Sequence, residues 1–295
     1  MYRPNWIEID GVVNMRDLGG LPTSDGGTVR PHRLIRSDNL QDLPPASVRH
    51  LVDVVGVRDV VDLRTHVEVA KEGEGPLLAE PAVRYHHLTM YREDTSESGI
   101  PAAERALPWE TDERRARGAA ERARAASATA SAGTDAVADE RAEEERRRSH
   151  DAFWSEHYLS YLAQRPDSVV AALRAVAASE GASIVHCAAG KDRTGTVVGL
   201  ALTVVGVPAD LVVADFAASA ERVAAIMDRL RAKPAYADNL RDKTVAQQSP
   251  TTDTMRLLLG ALEARYGGAL GWLDTQGWTD ADTERLRAKL LADAG

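Results

Sequence analysis

The sequence has one cysteine, Cys187, so it can build no internal disulfide framework and no multi-cysteine zinc or iron–sulfur site. It has no basic excess: the formal net charge of −9 argues against a general nucleic-acid binder. A local positive pocket is still compatible with that sum. It has no long apolar run either. The longest, about Thr196 to Val207, holds two glycines and falls short of the ~20 residues a spanning helix needs. Met1 to Glu8 lacks a basic stretch followed by an apolar core, so a cytoplasmic protein is expected, with export by another route left open. What is present is a soluble mix, 44% hydrophobic and 27% charged, in 295 residues, enough for a substantial core.

Arg33–Arg36 reads as a short strand, Pro45–Val55 as a helix with proline at its start and Gly56 at its end, and Val57–Leu63 as a buried strand. Val83–Leu88 reads as a third strand. From about Arg92 to Ser149 the chain changes character, dominated by Ala, Arg, Glu, Ser and Thr. With little apolar surface to offset ordering entropy, 92–149 is expected to be a mobile insertion within one domain spanning 1–295. Its interleaved Glu and Arg form a charge-balanced face rather than a basic patch. Helices are expected at Ser168–Ala178, Thr194–Val205, Ala209–Ala218, Ala220–Ala232, Thr252–Tyr266 and Asp280–Ala292, the last capped by Thr279. Strands interleaved with helices, then a helical C-terminal half, indicate an α/β domain.

The chemistry concentrates in His186-Cys187-Ala188-Ala189-Gly190-Lys191-Asp192-Arg193-Thr194-Gly195, which follows the apolar strand Ser183–His186 and opens a helix. In such a loop, successive amides of Ala188, Ala189, Gly190, Lys191, Asp192 and Arg193 converge on one point, and the helix dipole adds positive potential. Gly190 and Gly195 allow the close approach this needs. Arg193 forks onto two phosphate oxygens, a geometry lysine does not reproduce. The field that holds a phosphate also favours a thiolate nucleophile at Cys187. A phosphomonoester hydrolase working through a cysteinyl-phosphate follows. No metal or cofactor is required, because Arg193 and the amides stabilise the charge. His86 and His87 alternate faces on a strand and form no metal signature.

This loop resembles the phosphate loop of the protein tyrosine phosphatase superfamily, and its Gly-Lys-Asp-Arg-Thr-Gly form resembles the atypical bacterial tyrosine phosphatases. Asn14–Gly20, Arg36-Ser37-Asp38, Asp62-Leu63-Arg64 and Asp215-Phe216 match that group too. The resemblance fails across 92–149. It implies a tyrosine phosphatase-like central sheet flanked by helices. It also implies activity on phosphotyrosine, and in this group on phosphoserine, phosphothreonine or phosphoinositides.

The resemblance further implies that Asp192 takes part in proton transfer, with Asp62 the second candidate. The alternative for Asp62 is a turn cap or a pair with Arg64. Lys191 either contacts acidic substrates or faces solvent. His186 orients the loop and tunes Cys187; Thr194 donates to the departing sulfur; Asn14, Arg16 and Asp17 brace the loop or approach the phosphate. Substrate walls are expected at Tyr85–Tyr91 and the helices after Asp215. Within those helices Ile226, Met227 and Leu230 are either core or the inner face of a lid. The partner is a phosphorylated protein, lipid or small molecule, with no nucleic acid and no stable membrane insertion; the oligomeric state is not legible. The loop reads phosphate and not its carrier, so a nucleotide, sugar or inositol phosphate stays open, as does a non-catalytic phosphate-binding module.

Overall fold

In a computed structural model, described for residues 2–93, 101, 102, 105, 107–110 and 136–292, a six-stranded sheet organises the chain in the order β1-β2-β3-β6-β4-β5. The strands are β1 (Asn5–Trp6), β2 (Arg16–Asp17), β3 (Leu34–Ser37), β4 (Val57–Asp62), β5 (Arg84–His87) and β6 (Ala182–His186). β1, β2 and β3 pair antiparallel, whereas β3, β6, β4 and β5 run parallel. Side chains alternate across the central strands as a period of two requires. Leu34, Val61 and Val185 join one core cluster, and Ile35, Val60 and Ile184 join the other.

Helix α1 (Pro45–Arg49) covers the second face and continues as a π-helix, His50–Val55, ending at Gly56 with φ +78°. The sequence placed one uniform helix there; the wider turn brings Leu51, Val52 and Val55 onto the sheet. Helix α2 (His66–Glu72) follows β4. On the other face lie α3 (Ala136–Gln164), α4 (Pro166–Ala178), α5 (Asp192–Val204) and α6 (Ala209–Ala218). The tail holds α7 (Val223–Arg231), α8 (Ala237–Leu240), α9 (Val245–Gln248), α10 (Thr252–Tyr266), α11 (Ala269–Asp274) and α12 (Asp280–Leu290). Thr279 caps α12 through a capping box with Asp282.

Two departures from the sequence reading matter for the site. The helix expected over Ala220–Ala232 opens as a 3₁₀ turn, Ser219–Arg222, because the buried Ser219 hydroxyl accepts from Asn14 and Arg16. Within 92–149, α3 already begins at Ala136, and Leu107 is buried. Most of the remaining insertion, and with it the expectation of mobility, lies outside the described residues. No helix among the described residues is long and apolar enough to cross a membrane.

Candidate active site

Parallel strands bring β3, β4 and β6 to a common carboxyl edge, where open α/β sheets place their ligand sites. Cys187 is the first residue past β6 and is nearly fully buried. The loop after it is held from outside by its carbonyls. Ala188 O accepts from Asn39 N at 3.0 Å, Ala189 O from Asn14 Nδ2 at 2.9 Å and Gly190 O from Arg36 Nη2 at 2.8 Å. Lys191 O accepts from Gly195 N at 2.8 Å. With these carbonyls engaged, the N–H groups of residues 188–193 donate to no other group among the described residues. Gly190 makes the turn possible: its φ is +65°, and a Cβ there would lie 2.3 Å from Ser37 O.

Asp215 anchors this scaffold. Its carboxylate takes Arg16 Nε at 2.8 Å and Arg36 Nη1 at 2.5 Å, all three side chains being buried. Burial alone would raise its pKa, but the two guanidinium groups hold it at about 2. Arg16 also reaches Asn14 Oδ1, which locks the side chain that holds Ala189. Asp38 accepts from the amides of Val13 and Asn14 and from Arg229. Asn14 and Arg16 thus lie directly behind the loop. Asp17 does not join them; it accepts from Gly19 N and His32 N and shapes the turn before β3.

Arg193 is fixed by a residue the sequence reading missed. Its Nη1 and Nη2 meet Glu68 Oε2 and Oε1 at 2.6 and 2.8 Å. Glu68 is fully buried, caps α2 through Thr65 N at 2.7 Å and accepts from Tyr236 OH at 2.9 Å. Burial would raise its pKa, yet Arg193 and Thr65 N keep it below the ordinary carboxylate range. The signal was present as Thr65-x-x-Glu68, a capping box that opens α2. The rings of Tyr91 and Trp109 stand 5.7 and 5.6 Å from the guanidinium. Trp109 was missed because it lies inside the segment whose composition suggested mobility.

The two acid candidates lie in different surroundings. Asp192, first residue of α5, keeps part of its side chain exposed and accepts from Tyr158 OH at 2.5 Å. Asp62 is fully buried at the end of β4, gripped by Arg64 Nη2 and by Tyr85 OH, each at 2.6 Å. Burial would raise its pKa, but the Arg64 guanidinium and the hydrogen bonds from Arg64 and Tyr85 take it well below the usual carboxylate range. Tyr85 therefore stands behind Asp62 and also donates to Glu74 O, while Tyr91 reaches Arg193. His186 is buried between Asp62 and Cys187 O, and burial lowers its pKa to about 4, so the ring is neutral. The Thr194 hydroxyl is buried with no hydrogen-bond partner among the described residues. Lys191 does not face solvent: its Nζ donates to Gln248 O at 2.5 Å and lies 5.1 Å from the Trp154 ring. Ile226 and Leu230 pack in one cluster with Ala188, Leu107 and Tyr236, so α7 covers the loop.

A buried cysteine at a strand end, a loop whose amides have no partner among the described residues and a clamped arginine thus meet at the carboxyl edge of the parallel sheet. The profile of the tyrosine phosphatase family matches residues 7–292, and the chain belongs to that family. It is 30% identical over 302 residues to the triple specificity protein phosphatase PtpB of Mycobacterium tuberculosis, covering 96% of this chain and 98% of the relative. It is also 30% identical over 148 residues to a tyrosine-protein phosphatase of Nostoc commune, covering 46% of this chain and 48% of that protein. The chain is thus a phosphatase with an α/β fold of the tyrosine phosphatase kind.

Proposed function

We propose that Cys187 is the nucleophile and that the enzyme hydrolyses phosphotyrosine, with phosphoserine, phosphothreonine and phosphoinositides as further substrates. The observation that carries the mechanism is the loop: amides of residues 188–193 without partners among the described residues, beside a buried cysteine and an arginine fixed from behind. The thiolate attacks phosphorus, the S–P bond forms and the P–O bond to the leaving group breaks. Asp192 gives its proton to the departing oxygen and then takes one from the water that attacks phosphorus, freeing the sulfur. Asp62, fully buried and held by Arg64 and Tyr85, takes no part in that exchange and serves as the acceptor that fixes those two side chains. Thr194, whose hydroxyl has no partner among the described residues, donates to the sulfur as it leaves. The breadth of substrates rests on the similarity to the triple specificity phosphatase.

The test is hydrolysis of an aryl phosphate by the wild-type enzyme and by Cys187→Ser, with acid quench to trap phosphate on the protein. Turnover with label on Cys187, abolished in the variant, is expected. An inactive wild-type enzyme overturns the reading. A panel of phosphotyrosyl and phosphoseryl peptides, phosphoinositides and sugar phosphates, ranked by kcat/KM, then fixes the substrate.

A further inference from the structure

Tyr158 belongs to α3 and Asp192 to the catalytic loop, yet the phenol of one donates to Oδ1 of the other at 2.5 Å. The tyrosine has no freedom to do otherwise. It is 1% exposed, stacked on Tyr161 at 6.0 Å and set edge-on against Phe216 at 5.9 Å. Asp192 Oδ2 accepts no bond from a described residue, so one carboxylate oxygen is tied down and the other is left for substrate or water.

The geometry points to Tyr158 as a positioning residue for proton transfer: it aims the Asp192 carboxylate and stabilises its ionised form. This rests on the assignment of Asp192 as the acid and base. That dual duty is what makes the donor useful. After giving up its proton to the leaving group, Asp192 must remain an anion, pointed at the loop, until water attacks. A neutral phenol donates more strongly to a carboxylate than to a carboxylic acid, so it favours that state. Tyr158 keeps its own proton throughout, since burial and the nearby Asp192 carboxylate push its pKa well above 10.

The other groups facing Asp192 leave this task to the phenol. Lys191 Nζ lies 3.6 Å from the same oxygen, but its hydrogen bond goes to Gln248 O. Cys187 and Arg193 share the loop, and Arg193 is engaged by Glu68. On α3, Tyr161 shares its hydroxyl with Tyr91 at 3.1 Å.

The experiment is the pH dependence of kcat/KM on an alkyl phosphate, whose departing oxygen needs a proton. A general acid must be protonated, so its limb is the loss of rate as pH rises. Tyr158→Phe is expected to move that limb upward by about one pH unit, the size of effect a hydrogen bond to a charged group supports. Replacing Tyr158 by 3-fluorotyrosine, a stronger donor of nearly the same shape, is expected to move it downward. The fluorotyrosine arm stands by itself if Tyr158→Phe fails to fold. Asp192→Asn is the control: if the limb survives it, the assignment of Asp192 fails. If Asp192→Asn removes the limb while both Tyr158 replacements leave it in place, the role given to Tyr158 is overturned.

Discussion

Glu68 grips Arg193 through two parallel hydrogen bonds, 2.6 Å to Nη1 and 2.8 Å to Nη2, with both side chains buried. The contact joins α2 to the loop after Cys187, and Tyr236, on the tail that covers the loop, donates to the same carboxylate. Glu68→Gln keeps the shape but removes the charge that fixes the guanidinium. Its kcat is expected to fall by about 10²-fold, the scale of a misplaced catalytic group. Affinity for inorganic phosphate, measured as competitive inhibition, is expected to fall with it. Glu68→Ala goes further, leaving a buried arginine unpaired, at a cost of about 3–5 kcal/mol in unfolding experiments.

The two aspartates are separable by leaving group. Asp192→Asn is expected to lower kcat by about 10²–10⁴-fold on an alkyl phosphate and much less on an aryl phosphate whose oxygen needs no proton. Asp62→Asn is expected to depress both substrates alike and to lower the melting temperature, because Arg64 and Tyr85 lose the charge and one of the two oxygens that hold them. Steady-state rates on the two substrates check this.

Stability is expected to fall in two stages on acidification. His186 is held at about 4, so between its ordinary 6.5 and that value only the unfolded chain takes up the proton. The unfolded state then binds more protons, and stability drops by about 3 kcal/mol as pH falls through this window. Asp215 has its pKa lowered from 3.8 to about 2; the stability from its anion is complete above 3.8 and about 2 kcal/mol is lost as pH falls to 2. Glu68, also lowered, adds to the second stage. Thermal melting against pH measures both, and His186→Gln is expected to remove the first.

Trp109→Ala should act on the phosphate side of the pocket without touching the nucleophile. Its ring faces the Arg193 guanidinium beside Tyr91. Losing it is expected to raise KM for an aryl phosphate about tenfold, the upper range of one aromatic contact, with a smaller change in kcat. Initial-rate kinetics at saturating and limiting substrate separate the two.

The central strands were legible because valine and isoleucine runs bounded by glycine leave few alternatives, as at Val57–Asp62 and Ala182–His186. The loop was legible because every part that forms it is adjacent in the chain. Its supports were not. Glu68, Tyr158 and Trp109 come from three separate segments, and nothing in a linear pattern tells a buried glutamate that caps a helix from one that also holds an arginine. Lys191 shows the same limit. Its place in the loop left substrate contact and a solvent-facing position equally open, whereas its hydrogen-bond partner, Gln248, is 57 residues away in the chain. The short strands β1 and β2, two residues each, carry too little pattern to register at all.

The ties that shape the loop span long stretches of chain: Asn14 to Ala189 across 175 residues, and Arg36 to Asp215 across 179. Closing contacts between such distant segments is slow, since chain entropy must be overcome before they are rewarded. A chain emerging from the ribosome will have made Cys187 and Arg193 well before Asp215 and Ser219 exist to lock Arg16, Arg36 and Asn14 in place. Competence to bind phosphate is therefore a late event in the birth of each molecule, and a chain cut short before Asp215 carries the whole motif without its enzyme.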